Sequence, residues 1–203
     1  MPILSEQPGV RLRPLTLAKV AIFYAIVILL GWLVACILTV TGLSELYGLV
    51  VSAGLYGFLL VPIAYAFDQK LFSRAYWKIS PRAFVGIAVI GFVQFLINKF
   101  GPQSGPTDPY RAFEAILVAP FVEELLRAVT ICPLMARLGN TAGLVVTVLL
   151  WAWPHSLFWV ALVQQSILSF IFVYSRNSLP ATIGAHLAMN LIVLQHAGLA
   201  RTL

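Results

Sequence analysis

Apolar runs follow one another along almost the whole chain, separated by short polar breaks. A membrane-spanning helix needs roughly 20 mostly apolar residues. Seven runs approach that length: about Thr16–Val40, about Leu46–Phe67, about Ala83–Phe100, about Ala112–Arg137, one from about Thr141 to the neighbourhood of Trp159, one ending near Tyr174, and about Leu179–His196. The breaks carry turn chemistry. Asp68 to Arg82 is polar and basic, Gly101–Tyr110 reads GPQSGPTDPY, Gly139-Asn140 stops a helix, and Ser175-Arg176-Asn177-Ser178 makes a turn. This pattern predicts an all-α, polytopic membrane helix bundle of about seven transmembrane helices. Residues 1–203 read as a single integral membrane domain, with no internal repeat and no polar segment longer than about fifteen residues.

Composition agrees with the pattern. Of the 203 residues 61% are hydrophobic and 10% charged, and the mean hydropathy is +0.95. A soluble domain averages about a quarter charged residues, so this chain cannot cover a water-facing surface. The net charge is +6, but the basic residues are scattered between apolar runs, which indicates loops obeying the positive-inside rule and not a nucleic-acid surface. With the N-terminus in the cytoplasm, Arg11, Arg13, Lys19, Lys70, Arg74, Lys78, Arg82, Arg137 and Arg176 face inward, and only Lys99, Arg111 and Arg201 face outward. The first run is too long for a signal-peptide core and lacks a small-residue cleavage site, so it reads as an uncleaved anchor. The compact chain without long loops suggests a prokaryotic inner membrane. Cys36 and Cys132 lie inside apolar runs and read as buried thiols, not as a disulfide or a metal site. Phe58, Trp77 and Trp153 read as packing or interface anchors.

The fourth run, AFEAILVAPFVEELLRAVTICPLMAR, contains charges that lipid does not tolerate. Glu123 is twelve residues from Arg111 and fourteen from Arg137, which places it near the middle of the membrane, beside Glu124 and Arg127. Three such charges cost on the order of 8–10 kcal/mol, against about 5 kcal/mol returned by the eleven Leu, Ile, Phe and Val residues. The polar face must therefore be satisfied within the bundle or by water. Arg127 follows Glu123 by four positions and Glu124 by three, so it projects between the two carboxylates and can pair with one while leaving the other available. The set reads as a functional site or as a structural ion pair.

Two further pairs follow. Trp151 and His155 are four apart on the expected fifth helix. Equal rise per residue about the Gly139-Asn140 turn maps Glu123 to about position 156, which sets His155 at nearly the same depth. Taken alone, such a histidine is more often a hydrogen-bonded core residue. His186 and Asn190 are four apart on the seventh helix; both can donate hydrogen bonds, either to an oxyanion or as helix–helix contacts. His196 lies near the membrane exit and has no assigned role.

In chain order these are EExxR at Glu123, WxxxH ending at His155 and HxxxN at His186. The trio resembles the intramembrane CPBP family, the CAAX-prenyl-protease and bacteriocin-processing (Abi) proteins, whose motifs are EExxxR, F/WxxxH and HxxxN/B on separate membrane helices. Ala119-Pro120-Phe121-Val122 and the run Phe172–Asn190 match the family's surroundings, and the resemblance covers about Val118–Leu194, within core helices at 112–196. There are two departures. The family places its arginine five after the first glutamate, and here it is four. His155 and His186 are only 31 residues apart, which implies a compressed sixth helix, a half-span.

The resemblance implies a glutamic intramembrane endopeptidase acting on a membrane-associated protein or peptide. The substrate could be a prenylated CaaX tail, a bacteriocin leader or a C-terminal sorting tag. Glu123 would activate a water held by His155, His186 and Asn190 would stabilise the oxyanion, and Glu124 and Arg127, with Trp151, would support the site. No serine or cysteine with a depth-matched base is evident. No cofactor is implied, although Glu123, His155 and His186 make a two-histidine, one-carboxylate set of the kind that binds zinc; there is no HExxH motif. Two other classes stay open: a non-catalytic immunity or scaffold protein of the same family, and a transporter, which would also bury Glu and His but often shows inverted repeats.

Overall fold

The computed structural model describes residues 17–41, 59–67, 69–100, 116 and 118–196. Among them the chain is entirely helical: α1 Leu17–Thr41, α2 Val61–Phe67, a 3₁₀ turn Gln69–Phe72, α3 Arg82–Phe100, α4 Ala119–Leu138, α5 Asn140–Ala152, α6 Phe158–Tyr174 and α7 Leu179–His196. The first part of the second apolar run, the Gly101–Tyr110 loop, and Arg11, Arg13, Phe58, Arg111 and Arg201 lie outside the described residues.

α4 is the centre of the bundle. It enters through Pro120, whose missing N–H costs nothing in a first turn, and it is buried continuously from Glu124 to Met135. Phe23 of α1, Leu60, Ala64 of α2, Phe172 of α6, and Leu179 and Ile183 of α7 pack against it. A second cluster joins Ala83 and Ile90 of α3 to Leu168 and Ile171 of α6 and Ala185 and Met189 of α7. Gly139 has φ +84 and turns the chain from α4 into α5. A Cβ at Gly143 would collide with the backbone of Leu134 and Met135, so α4 and α5 touch backbone to backbone there.

Chain direction alternates from α3 to α7, and one end of the bundle gathers the start of α3 with the ends of α4 and α6 and the start of α7. Segment 69–81 packs beneath that end. The Leu179 N–H donates to the Tyr76 carbonyl at 2.8 Å, the Ser178 hydroxyl donates to the Lys78 carbonyl at 2.5 Å, and Arg82 Nη1 donates to the Tyr174 carbonyl at 3.1 Å. Tyr76 is buried and stacks on Phe172 at 6.4 Å. α6 closes with the paired bonds of a Schellman end, Arg176 N–H to Val173 and Asn177 N–H to Phe172, with Arg176 and Asn177 both at φ 61.

Two expectations need correction. The fifth helix does not run to the neighbourhood of Trp159, and Trp151 and His155 do not share a helix face. α5 stops at Ala152, because Pro154 has no N–H to continue the ladder. The last helical bond is Trp153 N–H to Leu149 at 3.0 Å, followed by a tighter His155 N–H to Ala152 at 3.1 Å. Nor is the sixth helix a half-span. α6 has 17 residues, about 26 Å at 1.5 Å per residue. The 31 residues from His155 to His186 hold the whole of α6, a short turn and the first half of α7; the short helix is α5, with 13 residues, and it lies before His155.

The outward faces are apolar. Ile28, Leu29 and Trp32 of α1, Phe84, Phe92 and Phe95 of α3, and Trp159 and Phe170 of α6 are all exposed. By length and apolarity alone, α3 is the one helix among the described residues that qualifies to cross a membrane; α5, α6 and α7 are apolar but shorter. Cys132 is buried and Cys36 half-buried, and neither forms a disulfide. Trp153 is 81% exposed and Trp77 40%.

Candidate functional site

At the end of the bundle away from segment 69–81, a cavity of about 270 Å³ opens between α3, α4, α6 and α7. Gln94, Asn98, Glu123, His155, His186 and Asn190 are among the residues that line it. Glu123, in the second turn of α4, keeps 27% of its side chain exposed, whereas the side chain of Glu124, one residue on and rotated about 100° around the helix, is wholly buried. His155 reaches the cavity from the α5–α6 connection and is exposed.

Arg127 takes one carboxylate and leaves the other. Its Nε and Nη2 donate to the two oxygens of Glu124 at 2.9 and 3.0 Å, and its Nη1 donates to Ser169 Oγ of α6 at 3.2 Å. The guanidinium carbon also lies 5.4 Å from the centre of the Trp151 ring, close enough for a cation–π contact. Planar bidentate pairing of this kind is arginine's particular geometry. The shortened EExxR spacing therefore still closes a full ion pair with the second glutamate.

Glu124 has another partner. Its Oε1 lies 2.9 Å from His186 Nδ1 on α7, and His186 Nε2 lies 4.0 Å from Glu123 Oε2. A carboxylate only accepts hydrogen bonds, so Nδ1 carries a proton and Nε2 is presented toward Glu123 and the cavity. Asn190, one turn further along α7, lines the same space. All four residues expected to act on substrate thus face one cavity, and Glu124, Arg127 and Trp151 lie behind it. Among the described residues no three of His, Cys, Asp and Glu are grouped as metal ligands are.

The sequence reading missed the amide wall. Gln164 Nε2 donates to Gln94 Oε1 at 2.7 Å, Gln94 Nε2 to Asn98 Oδ1 at 2.7 Å, and Asn98 Nδ2 to the Ile192 carbonyl at 3.0 Å, which ties α6, α3 and α7 together. Gln165, also on the lining, is buried with no hydrogen-bond partner for its Oε1 among the described residues. The signal was present: Gln94 and Asn98 are four apart in an apolar run, as are Gln165 and Ser169. From α1, Tyr24 packs against Trp151 with ring centroids 6.0 Å apart and planes tilted by 58°, and lies within electrostatic reach of Arg127 and Glu123.

Residues 106–192 match the model of a protein family described as Rce1-like, type II CAAX prenyl endopeptidase Rce1-like. This bears out the family expected from the three motifs, over a stretch that contains all of them. That family is one of membrane-embedded proteases, and the match spans a little under half of the chain. No curated protein and no solved structure gives a significant match.

Proposed function

We propose that the protein is a polytopic intramembrane endopeptidase of the glutamic type, spanning residues 1–203 as one membrane domain with its core helices at 112–196. The membrane reading is supported by the apolar outward faces of α1, α3 and α6, which water would not tolerate over so large an area, and by the family match. The observation that carries the protease reading is the division of labour between adjacent glutamates. Glu124 is consumed by Arg127 and His186, while Glu123 is left facing a cavity shared with His155, His186 and Asn190.

In this mechanism Glu123 removes a proton from a water that His155 holds, and the water oxygen bonds to the carbonyl carbon of the scissile peptide. The carbonyl oxygen becomes an oxyanion, met by the Asn190 amide and by His186 Nε2 when the ring is doubly protonated. The proton on Glu123 passes to the departing amide nitrogen, the C–N bond breaks, and a carboxylate and an amine result. Glu124 fixes the ring orientation of His186, and Arg127 holds Glu124. The substrate is a membrane-associated protein or peptide, of which a prenylated CaaX tail, a bacteriocin leader and a C-terminal sorting tag are the three chemical cases.

Cleavage of tagged membrane peptides by the purified protein in detergent tests this. Activity that survives a strong zinc chelator and is lost in Glu123→Ala and His186→Ala is the expected result. Loss to chelator with recovery on zinc addition would replace it with a metal-dependent site at Glu123, His155 and His186. Cleavage by the Glu123→Ala protein would sink the reading.

A further inference from the structure

The two ends of the bundle differ in charge, and the cavity lies at only one of them. Arg74 and Lys78 in segment 69–81, Arg82 at the start of α3, Arg137 near the end of α4 and Arg176 after α6 all cluster at one end. Lys70 lies in the adjoining 3₁₀ turn. The cavity is lined by the second half of α3, the first turns of α4, the α5–α6 connection, the first half of α6 and the second half of α7. In a bundle whose chain direction alternates, all of these lie at the opposite end. The one basic residue described there is Lys99, and the cavity lining contains no Lys or Arg.

The asymmetry fixes an orientation. Short loops rich in Lys and Arg stay in the cytoplasm, and every basic loop described here is short. Segment 69–81 is also docked to the start of α7, its Tyr76 and Lys78 carbonyls accepting from the Leu179 N–H and the Ser178 hydroxyl, and cannot be carried to the other face without unmaking that end of the bundle. We propose that the cavity opens on the extracytoplasmic side, and that its substrate is an exported polypeptide cut beside its membrane-spanning tail at the outer face. This rests on the protease reading above and selects among its substrate cases. A prenylated tail is held at the cytoplasmic leaflet, on the far side of the bilayer from Glu123. A C-terminal sorting tag, whose protein has already crossed, presents its junction where the cavity opens.

The cavity's chemistry suits such a junction. Its polar wall is built of neutral amides, Gln94, Asn98 and Gln164, which can pair with an extended peptide backbone. His155 and Ser156 are exposed at the mouth.

Two measurements on the full-length protein in bacterial inner membranes test the proposal. In the first, Ser156→Cys and Ser73→Cys are each treated with a membrane-impermeant maleimide in spheroplasts; the unaltered chain, whose Cys36 and Cys132 lie within helices, is the blank. Labelling of Ser156→Cys before lysis and of Ser73→Cys only after lysis is expected. The reverse overturns the orientation and the substrate class with it. In the second, a pooled set of tail junctions is displayed in two reporters, one with its soluble domain exported and one with it cytoplasmic. Cleavage confined to exported reporters and lost in Glu123→Ala is expected, and cleavage of cytoplasmic reporters overturns the proposal. Outward labelling with no reporter cut overturns the protease reading, and the labelling then stands as a result on orientation alone.

Discussion

His186 Nδ1 lies 2.9 Å from Glu124 Oε1, across the contact between α7 and α4. The same carboxylate takes two of the three hydrogen bonds that Arg127 donates, so a single buried group holds α7 and the central helix in register. Among the described residues the neighbouring Glu123 makes no such pairing and approaches the other nitrogen of that ring only at 4.0 Å. Two consecutive glutamates thus differ in what they are bonded to, and their variants should differ in kind.

Glu123→Gln should leave the fold intact and abolish activity. Glu123 is half-open, and the amide replaces the carboxylate at the same size. Loss of a general base lowers turnover by about 10²–10⁴-fold. Cleavage assays beside thermal unfolding in detergent check this. A large fall in unfolding temperature would assign Glu123 a structural role instead.

Glu124→Gln should do the opposite in stability. It strips Arg127 of its counter-charge inside the bundle, and removing one member of a buried pair costs about 3–5 kcal/mol. Arg127→Met should cost about as much. The two changes together should cost less than their sum, because no uncompensated charge is left. Unfolding of the two single variants and the double variant decides it; strict additivity would show that the pair is not coupled.

Pro154→Ala should detach His155 from the site. With an N–H restored at 154, α5 can add residues, and His155 turns with the lengthened helix away from the cavity mouth. Cleavage should fall, with the unfolding temperature unchanged or raised. Unaltered activity would mean that the α5–α6 connection is fixed by contacts other than the proline.

Gly143→Val should destabilise the α4–α5 pair. Any Cβ there meets the backbone of Leu134 and Met135, which cannot rotate aside. Overpacking a tight contact costs typically 1–3 kcal/mol, and a branched side chain against backbone should be at the upper end. Gly184→Ala is the control, since its Cβ would meet only Ile87 Cδ1 at 3.4 Å. A fall in unfolding temperature for the first and none for the second is expected.

Trp151→Phe should be mild and Trp151→Ala severe. The indole Nε1 is buried with no partner among the described residues, so phenylalanine removes an unsatisfied donor while keeping a ring under Arg127. Alanine removes that ring and its packing, at about 3–5 kcal/mol. Equal losses in both variants would show that the indole nitrogen makes an interaction of its own.

The apolar runs, the breaks between them and the charge sign of those breaks were legible in the sequence, because lipid solvation and helix geometry act on each segment separately. On that basis the helix boundaries near Phe100, Tyr174 and Leu179 emerge within a residue or two. The Glu123–Glu124–Arg127 cluster is legible for the same reason: spacing along one helix determines which side chains are neighbours. What Arg127 does with the two carboxylates is not local. It depends on Ser169 and Trp151, which come from other helices. The amide wall and the tie between Glu124 and His186 likewise exist only once α3, α4, α6 and α7 are side by side. The end of α5 is a local effect of Pro154, but its consequence is tertiary: it sets His155 on a connection at the cavity's mouth instead of on a helix face. Periodicity and hydropathy are properties of a segment, and they determined the helices and the charged face. The meeting of polar groups from distant segments depends on how helices pack, and only the tertiary structure decided which glutamate is tied and which is free.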